Sequence, residues 1–190
     1  MENNEFSEVE KYLLLLLSAN SNKPIPGKLW FQKELFMLSK NIQELDDETD
    51  FEPYFWGPYS ELAEDEMEEL KKLGLVEMIN HSYKLTSRGE ELAKKISVKK
   101  ENNELIVDMK TFFNDLSKDE LLLFIYVTYP DMVDESVEVK PLLPKRKDIA
   151  IELYKKEKTS LGKSAELAGL SVEEFIIELG KRGIKHNEDN

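Results

Sequence analysis

Cysteine is absent from the 190 residues, and histidine occurs only at His81 and His186. Without cysteine the chain can form no disulfide, no thiolate metal site and no cysteine nucleophile. One histidine lies in a predicted turn and the other in the polar C-terminal tail, which leaves no Ser-His-Asp triad and no histidine-rich metal cluster. We therefore expect a protein that is not an enzyme and that holds neither a metal nor another cofactor.

Long apolar runs are also lacking. The longest, Tyr12 to Leu17, is far shorter than the roughly 20 residues that span a bilayer. The preceding segment, MENNEFSEVEK, is acidic where the start of a secretory signal would be basic. Together with the missing cysteine, these features predict a cytoplasmic protein that has no signal peptide and does not bind membranes.

Positive charge is scarce over the chain as a whole, whose formal net charge is -13. This excludes a general attraction to polyanions, so any contact with nucleic acid must be local. With 41% apolar and 34% charged residues, the composition is that of a globular protein. A chain of this length forms one ordinary domain or two small ones.

Residues 1–100 show the element order of a winged-helix domain. Ser7 and Glu10 match a capping box ahead of a helix over roughly 8–18, and a second amphipathic helix begins near Gly27. Ser60 can cap a third helix that ends at Gly74. A short hairpin and a helix from about residue 86 follow.

The rest of the chain is predicted to be mainly α as well. A helical pair over 101–128, with a capping box at Ser117, is a candidate for dimerisation, and the proline-containing acidic stretch 129–144 is the candidate linker. A helix-turn-helix module then occupies 145–186. The predicted fold is thus a winged-helix-like domain with a short hairpin, further helices and this C-terminal module.

The chain becomes basic over residues 140–163, where eight basic residues stand against three acidic ones. Such a patch can contact DNA phosphates, or it can simply keep the module soluble. The candidate DNA-binding residues are Lys145, Arg146, Lys147, Lys155, Lys156, Lys158, Lys163, Lys181 and Arg182.

The helix-turn-helix prediction depends on four positions. Ala165 is small enough for a helix crossing, Gly169 suits the turn, and the apolar Leu170 and Phe175 can close the angle between the helices. A plain three-helix packing unit would meet the same demands. The outward positions of the second helix also lack the Arg, Asn or Gln that usually reads bases, so we expect backbone contacts rather than sequence readout.

A second candidate surface combines an aromatic Gly-Pro turn with the acidic helix that follows it. This helix would repel phosphates, so it either faces a basic protein surface or is merely solvated. The aromatic residues of the turn can equally be core. The candidate protein-binding residues are Tyr54, Trp56, Tyr59, Glu61, Glu64, Asp65 and Glu68.

The C-terminal stretch IAIELYKKEKTSLGKSAELAGLSVEEFIIELGKRGI, residues 149–184, resembles a family of small prokaryotic antitoxin-like helix-turn-helix proteins often encoded beside toxin genes. The resemblance is carried by the SLGK and AELAG pieces and by the Glu-Phe pair that follows. Ser164 departs from the usual alanine, and Glu157 stands where a glycine is common. The resemblance implies a role as an antitoxin or regulator.

The N-terminal pieces KLWFQKELFMLS, FEPYFWGPYSEL and YKLTSRGEELA resemble uncharacterised prokaryotic winged-helix proteins, and more distantly the Panacea-type toxin-neutralising domain. We therefore predict a prokaryotic homodimeric regulator of antitoxin or transcription-factor type. Its C-terminal module would contact DNA, and its acidic N-terminal domain would contact a toxin or another protein. The alternative is an interaction module that binds a toxin or itself and does not bind DNA.

Overall fold

The computed structural model describes residues 6–185. His186, the last residue of the predicted C-terminal module, lies outside the described residues, as do the first five residues of the predicted N-terminal domain. The described chain is mainly helical with one small antiparallel hairpin, which confirms the coarse fold class. The elements are α1 (Glu8–Asn22), α2 (Lys28–Ser39), α3 (Gln43–Asp46), α4 (Glu61–Lys72), β1 (Val76–Ile79), β2 (Ser82–Leu85), α5 (Ser87–Ala93), α6 (Lys100–Phe113), α7 (Lys118–Thr128), α8 (Val139–Leu142), α9 (Arg146–Lys155), α10 (Leu161–Ala168) and α11 (Val172–Lys181).

The chain divides into two compact units. The N-terminal unit consists of Met1–Glu52 and Pro58–Asp115, and the C-terminal unit of Pro53–Gly57 and Leu116–Asn190. Within the N-terminal unit α6 packs on α1 and α2, whereas α7 packs on α9 and α10 in the C-terminal unit. The two helices expected as a pair over 101–128 therefore have different packing partners.

Helix α1 supplies the centre of the N-terminal core, and its beginning and end are both fixed by side chains. Ser7 and Glu10 form the predicted capping box. The backbone leaves helical geometry at Ala19, and Lys110 of α6 donates hydrogen bonds from Nζ to the carbonyl oxygens of Leu17 at 2.9 Å and Ala19 at 3.0 Å. The buried lysine thus satisfies carbonyl groups that a helix end leaves without partners.

Residues 31–39 of helix α2 are all buried, and they include polar side chains. The Gln32 amide exchanges two hydrogen bonds with the backbone of Ser60, and Lys33 donates from Nζ to the carbonyl oxygen of Pro58 at 2.7 Å. Burial lowers the pKa of Lys33 to about 7. Burial also raises the pKa of the Glu34 carboxyl well above its ordinary value, although the charge of Lys110 opposes this effect.

The hairpin pairs Val76 with Leu85 and Ile79 with Ser82. Its turn places Asn80 and His81 at positive φ of 49° and 64°, as a two-residue hairpin turn requires. Thr86 then caps α5 by accepting a hydrogen bond from the backbone N–H of Gly89. The histidine of the N-terminal unit is thus a turn residue.

The C-terminal unit combines the last helices with the short aromatic segment 53–57. Glu52 and Tyr59 form an antiparallel bridge within the N-terminal unit, at either side of this segment. Inside the C-terminal unit the carbonyl oxygen of Phe55 accepts hydrogen bonds from the backbone N–H of Val137 at 3.1 Å and from Ser136 Oγ at 3.2 Å.

The stretch 129–144, predicted as a linker, contains a 3-10 turn at Pro130–Met132 and helix α8. A second 3-10 turn, Leu143–Lys145, begins at its end. Across residues 6–185, no helix has both the length and the apolar character needed to cross a membrane.

Candidate functional site

Helices α9, α10 and α11 form the part of the chain in which the DNA-binding candidates were predicted. Ser160 caps α10, and Ser171 with Glu174 forms a capping box at the start of α11. Between these two helices the N–H of Leu170 bonds to the carbonyl oxygen of Ala165 at 3.0 Å. The tight connection follows from the local sequence, because each helix begins at a strong N-capping residue.

Gly169 ends α10 in the left-handed conformation, with φ of 71°. A Cβ atom at this position would lie 2.5 Å from Nη1 of Arg146. The guanidinium of Arg146 donates from Nε to the carbonyl oxygen of Leu167 at 2.8 Å and from Nη2 to that of Glu166 at 3.0 Å. Arg146 was predicted to contact DNA, and in the structure its guanidinium caps the end of α10.

The packing of the three helices depends on small and aromatic residues at their contacts. Ala165 and Phe175 are buried, and the rings of Tyr154 and Phe175 meet edge to face with centroids 6.0 Å apart. Ser164, which replaces the alanine of the resembling family, is buried, and its Oγ bonds to the carbonyl oxygen of Ser160 at 2.8 Å. This departure from the family pattern is therefore accommodated by a local hydrogen bond.

Glu157 occupies the second position at which the chain departs from that pattern. Its φ is 56°, a left-handed conformation that a non-glycine residue adopts at a cost of about 1–2 kcal/mol. The N–H of Glu157 bonds to the carbonyl oxygen of Tyr154 at 2.9 Å and that of Lys158 to the carbonyl oxygen of Leu153 at 3.0 Å, which closes α9. This left-handed conformation explains why glycine is common at this position in the resembling family.

Most of the predicted DNA-binding cations form ion pairs within the C-terminal unit. Exposed pairs of this kind contribute little to stability, so a phosphate can replace the carboxylate. The pairs are Lys145–Asp119 at 2.9 Å, Lys147–Glu178 at 3.9 Å, Lys155–Glu152 at 2.8 Å, Lys156–Glu120 at 2.6 Å, Lys163–Glu166 at 3.0 Å, Lys181–Glu178 at 2.6 Å and Arg182–Asp148 at 2.6 Å.

The Lys156–Glu120 pair differs from the others because the Glu120 side chain is only 6% exposed. Burial alone would raise the pKa of the Glu120 carboxyl, but the hydrogen bonds from Lys156 and Ser117 outweigh it and lower this pKa. The pair joins the end of α9 to the beginning of α7. We therefore assign Lys156 mainly to the packing of the unit.

Three lysines come together around a cavity of about 470 Å³ at the junction of α9 and α10. Lys155, Lys158 and Lys185 are the basic residues of the lining, and the N-cap Ser160 lies at the start of α10, where the helix dipole is positive. Glu157 is the acidic member of the lining. The full lining is Tyr154, Lys155, Glu157, Lys158, Thr159, Ser160, Ile184 and Lys185.

The outer face of α11 has a different chemistry. Glu173, Glu174 and Ile177 are exposed, and Ile177 retains 57% of its accessible surface. Arginine, asparagine and glutamine, the usual readers of base edges, do not occur within α11. This face is therefore unsuited to sequence-specific contact with DNA.

The candidate protein-binding residues fall in both units. Tyr54 and Trp56 belong to the C-terminal unit and are each 44% exposed. Lys118 Nζ lies 4.2 Å from the centroid of the Trp56 ring, and the rings of Tyr54 and Phe55 have centroids 4.7 Å apart. These exposed rings are not part of a core.

The other candidates lie in the N-terminal unit. Glu64 accepts hydrogen bonds from Lys28 and from the Tyr59 hydroxyl; burial opposes their effect, but together they lower the pKa of this carboxyl. Glu68 pairs with Lys71 at 2.8 Å, whereas Glu61 and Asp65 are exposed. Within the described part of the chain, no group of three or more His, Asp or Glu side chains could hold a metal ion.

Comparison with known proteins gives a family match at the C-terminal end of the chain. Residues 125–190 match the uncharacterised protein family UPF0175. A UPF0175 protein of Archaeoglobus fulgidus is 51% identical over 41 residues, a match that covers 22% of this chain and 47% of that relative. The chain thus spans about half the length of the curated relative. The UPF0175 region contains the residues 149–184 on which the C-terminal resemblance depends.

Proposed function

We propose that this chain is a non-enzymatic regulator of the antitoxin or transcription-factor type, whose C-terminal helix-turn-helix holds DNA by its phosphates. The observation that carries the proposal is the lysine-lined cavity between α9 and α10 within the UPF0175 region. Lys155, Lys158 and Lys185 supply charge, and Ser160 places the N-terminus of α10 beside them. Helix N-termini and lysines together favour phosphate oxygens.

The proposal gives α11 a lesser role than a recognition helix usually has. Base readout needs donors and acceptors on the exposed face of that helix, whereas α11 presents Glu173, Glu174 and Ile177. Binding would therefore depend on the DNA backbone and would show little preference for sequence. Such binding weakens steeply as salt displaces the protein from the phosphates.

A titration of full-length protein with random duplex DNA over a salt series tests this function. We expect Lys158→Ala to weaken binding and to reduce the slope of log affinity against log salt by about one unit. Lys140→Ala removes the same charge outside the cavity lining and serves as the control. Equal effects of the two substitutions, or no binding at low salt, would contradict the proposal.

A gain of affinity provides a second test. Glu157 lines the same cavity as these lysines, so Glu157→Gln should strengthen phosphate binding by removing repulsion. Glu166→Gln, which removes a carboxylate that pairs with Lys163 outside the lining, shows how much of the gain comes from charge alone. The proposal requires the larger gain from Glu157→Gln.

The acidic face of α4 supports protein binding as a second candidate function. Glu61 and Asp65 are exposed, and they are not needed for the pairs that Glu64 and Glu68 form. A basic partner, such as a toxin encoded by a neighbouring gene, would fit this face. Co-purification with such a protein should be lost in Glu61→Lys/Asp65→Lys and retained in Glu90→Lys/Glu91→Lys on α5.

A further inference from the structure

The exposed face of α11 has an apolar centre. Ile177 is 57% exposed, whereas Phe175 and Leu179 on the opposite side of the helix are fully buried. Because successive residues turn by about 100° around a helix, Ile177 points away from the packing side. Covering this side chain with a second apolar surface would remove its exposed area from water and would therefore be favourable.

The neighbouring positions would allow another helix to approach closely. Gly180 lies three residues after Ile177 on the same face, and a Cβ atom built on it would meet no atom within 4 Å. This glycine leaves a shallow depression beside the isoleucine. Small residues at such positions let two helix backbones approach one another.

The charges on this face are arranged symmetrically about Ile177. Glu173 lies four residues before it, in the first turn of α11, and Lys181 lies four residues after it, in the last turn. Residues four apart share one face of a helix. The face is therefore acidic at one end, apolar at the centre and basic at the other end.

We propose that α11 pairs with α11 of a second copy of this chain, antiparallel about a two-fold axis at Ile177. In this pairing Glu173 of each copy meets Lys181 of the other, and the two Ile177 side chains cover each other. A parallel pairing would bring like charges together. The same surface patch serves both copies, as a two-fold dimer requires.

Other occupants match this face less completely. DNA would meet Glu173 and Glu174 at one end and an apolar side chain at the centre. The pair between Lys181 and Glu178 of the same chain, at 2.6 Å, is exposed on the lysine side, so Lys181 can also reach a second carboxylate. No residue that lines the lysine cavity belongs to α11, so this pairing is independent of the proposed DNA contact.

Sedimentation velocity of the full-length protein over a concentration series tests the pairing. An interface made by two short helices is small, so the series should extend to about 100 µM. We expect a reversible dimer, and Ile177→Asp should raise its dissociation constant by at least about tenfold. Val137→Asp, at a residue of the same unit that is 58% exposed, should leave the dissociation constant unchanged.

Mixing two charge-reversed variants tests the antiparallel register. Glu173→Lys and Lys181→Glu should each dimerise more weakly alone, because each places like charges opposite one another. An equimolar mixture of the two restores both opposite-charge pairs, so it should dimerise as the wild type does. A chain that failed to fold could not regain association on mixing.

A wild type that stays monomeric throughout the series would overturn the inference. So would a dimer that survives Ile177→Asp, because its interface would then lie elsewhere. Weakened association of both charge variants without recovery in the mixture would overturn the antiparallel arrangement.

Discussion

Replacing Arg146 by alanine should destabilise the C-terminal unit rather than only weaken DNA binding. Its guanidinium makes two hydrogen bonds to the last carbonyl groups of α10, one half-buried at 2.8 Å and one exposed at 3.0 Å. A half-buried bond from a charged donor contributes about 1.5 kcal/mol and an exposed one about 0.5 kcal/mol. We therefore expect the free energy of local unfolding of α10 to fall by about 2 kcal/mol.

Hydrogen exchange of the native full-length protein measures this local unfolding. A loss of about 2 kcal/mol corresponds to roughly thirtyfold faster exchange of the protected α10 amides. Arg146→Lys should recover part of the protection, since one ammonium group can reach at least one carbonyl. Lys145→Ala removes the adjacent charge and its exposed pair with Asp119, and should change local stability by less than about 0.5 kcal/mol.

A wild-type rate of α10 exchange in Arg146→Ala, combined with weaker DNA binding, would contradict a capping role for this guanidinium. In that case the guanidinium would serve DNA rather than the helix end. Hydrogen exchange and DNA binding, both measured on Arg146→Ala, thus distinguish helix capping from DNA contact.

Single substitutions at Gly169, Lys33 and Glu120 test three further features of the structure. Gly169→Ala should destabilise the C-terminal unit by at least about 1 kcal/mol, because Gly169 has φ of 71° and a Cβ atom there would meet the Arg146 guanidinium. Unchanged thermal unfolding would contradict this prediction. Gly162→Ala is the control, because a Cβ atom at Gly162 would meet nothing within 4 Å. The folded-state pKa of Lys33 is lowered to about 7, so above that pH the unfolded chain holds a proton on Lys33 that the folded chain has lost. The free energy of unfolding should therefore rise with pH from about 7 towards 10 relative to that of Lys33→Met. If the free energies of unfolding of the two proteins changed in parallel with pH, Lys33 would not be buried as described. The folded-state pKa of Glu120 is lowered, so its contribution to stability is present above the ordinary glutamate pKa and is lost as pH falls through the folded value. Glu120→Gln should therefore reduce the acid sensitivity of α7 exchange relative to the wild type, and equal pH profiles of the two proteins would contradict this.

Local signals in the sequence predicted several features of the fold well. The capping boxes at Ser7, Ser117 and Ser171 are all confirmed, because a cap is formed by residues three positions apart. The end of α10 at Gly169 is confirmed for a similar reason, since it depends on a single glycine. Helix starts and stops are decided within a few residues, so the chain reveals them without its tertiary structure.

Features that depend on distant parts of the chain were not predictable in this way. Periodicity indicated an amphipathic α2, yet Gln32, Lys33 and Glu34 are all buried. Their burial depends on the elements that surround α2, and no pattern within the helix indicates it. Sequence alone likewise did not show that Arg146 caps α10 or that Lys156 pairs with Glu120.

The candidate DNA surface shows the same distinction. Composition identified a basic stretch, but it could not tell lysines that line a cavity from those that hold helices together. The structure brings Lys155 and Lys158 together with Lys185, which lies outside the basic stretch 140–163. Lys185 follows α11 and reaches the cavity only because the three helices fold back on one another.

The aromatic segment 53–57 also affects the order in which the C-terminal unit is synthesised. It leaves the ribosome before any other residue of the C-terminal unit, so that unit is completed only when the last helices of the chain have been synthesised. A gene fragment beginning at Leu116 would encode a unit without the Phe55 carbonyl, which accepts hydrogen bonds from both Ser136 and Val137. Such a fragment would contain the last helices of the chain but would lack two hydrogen bonds of their unit.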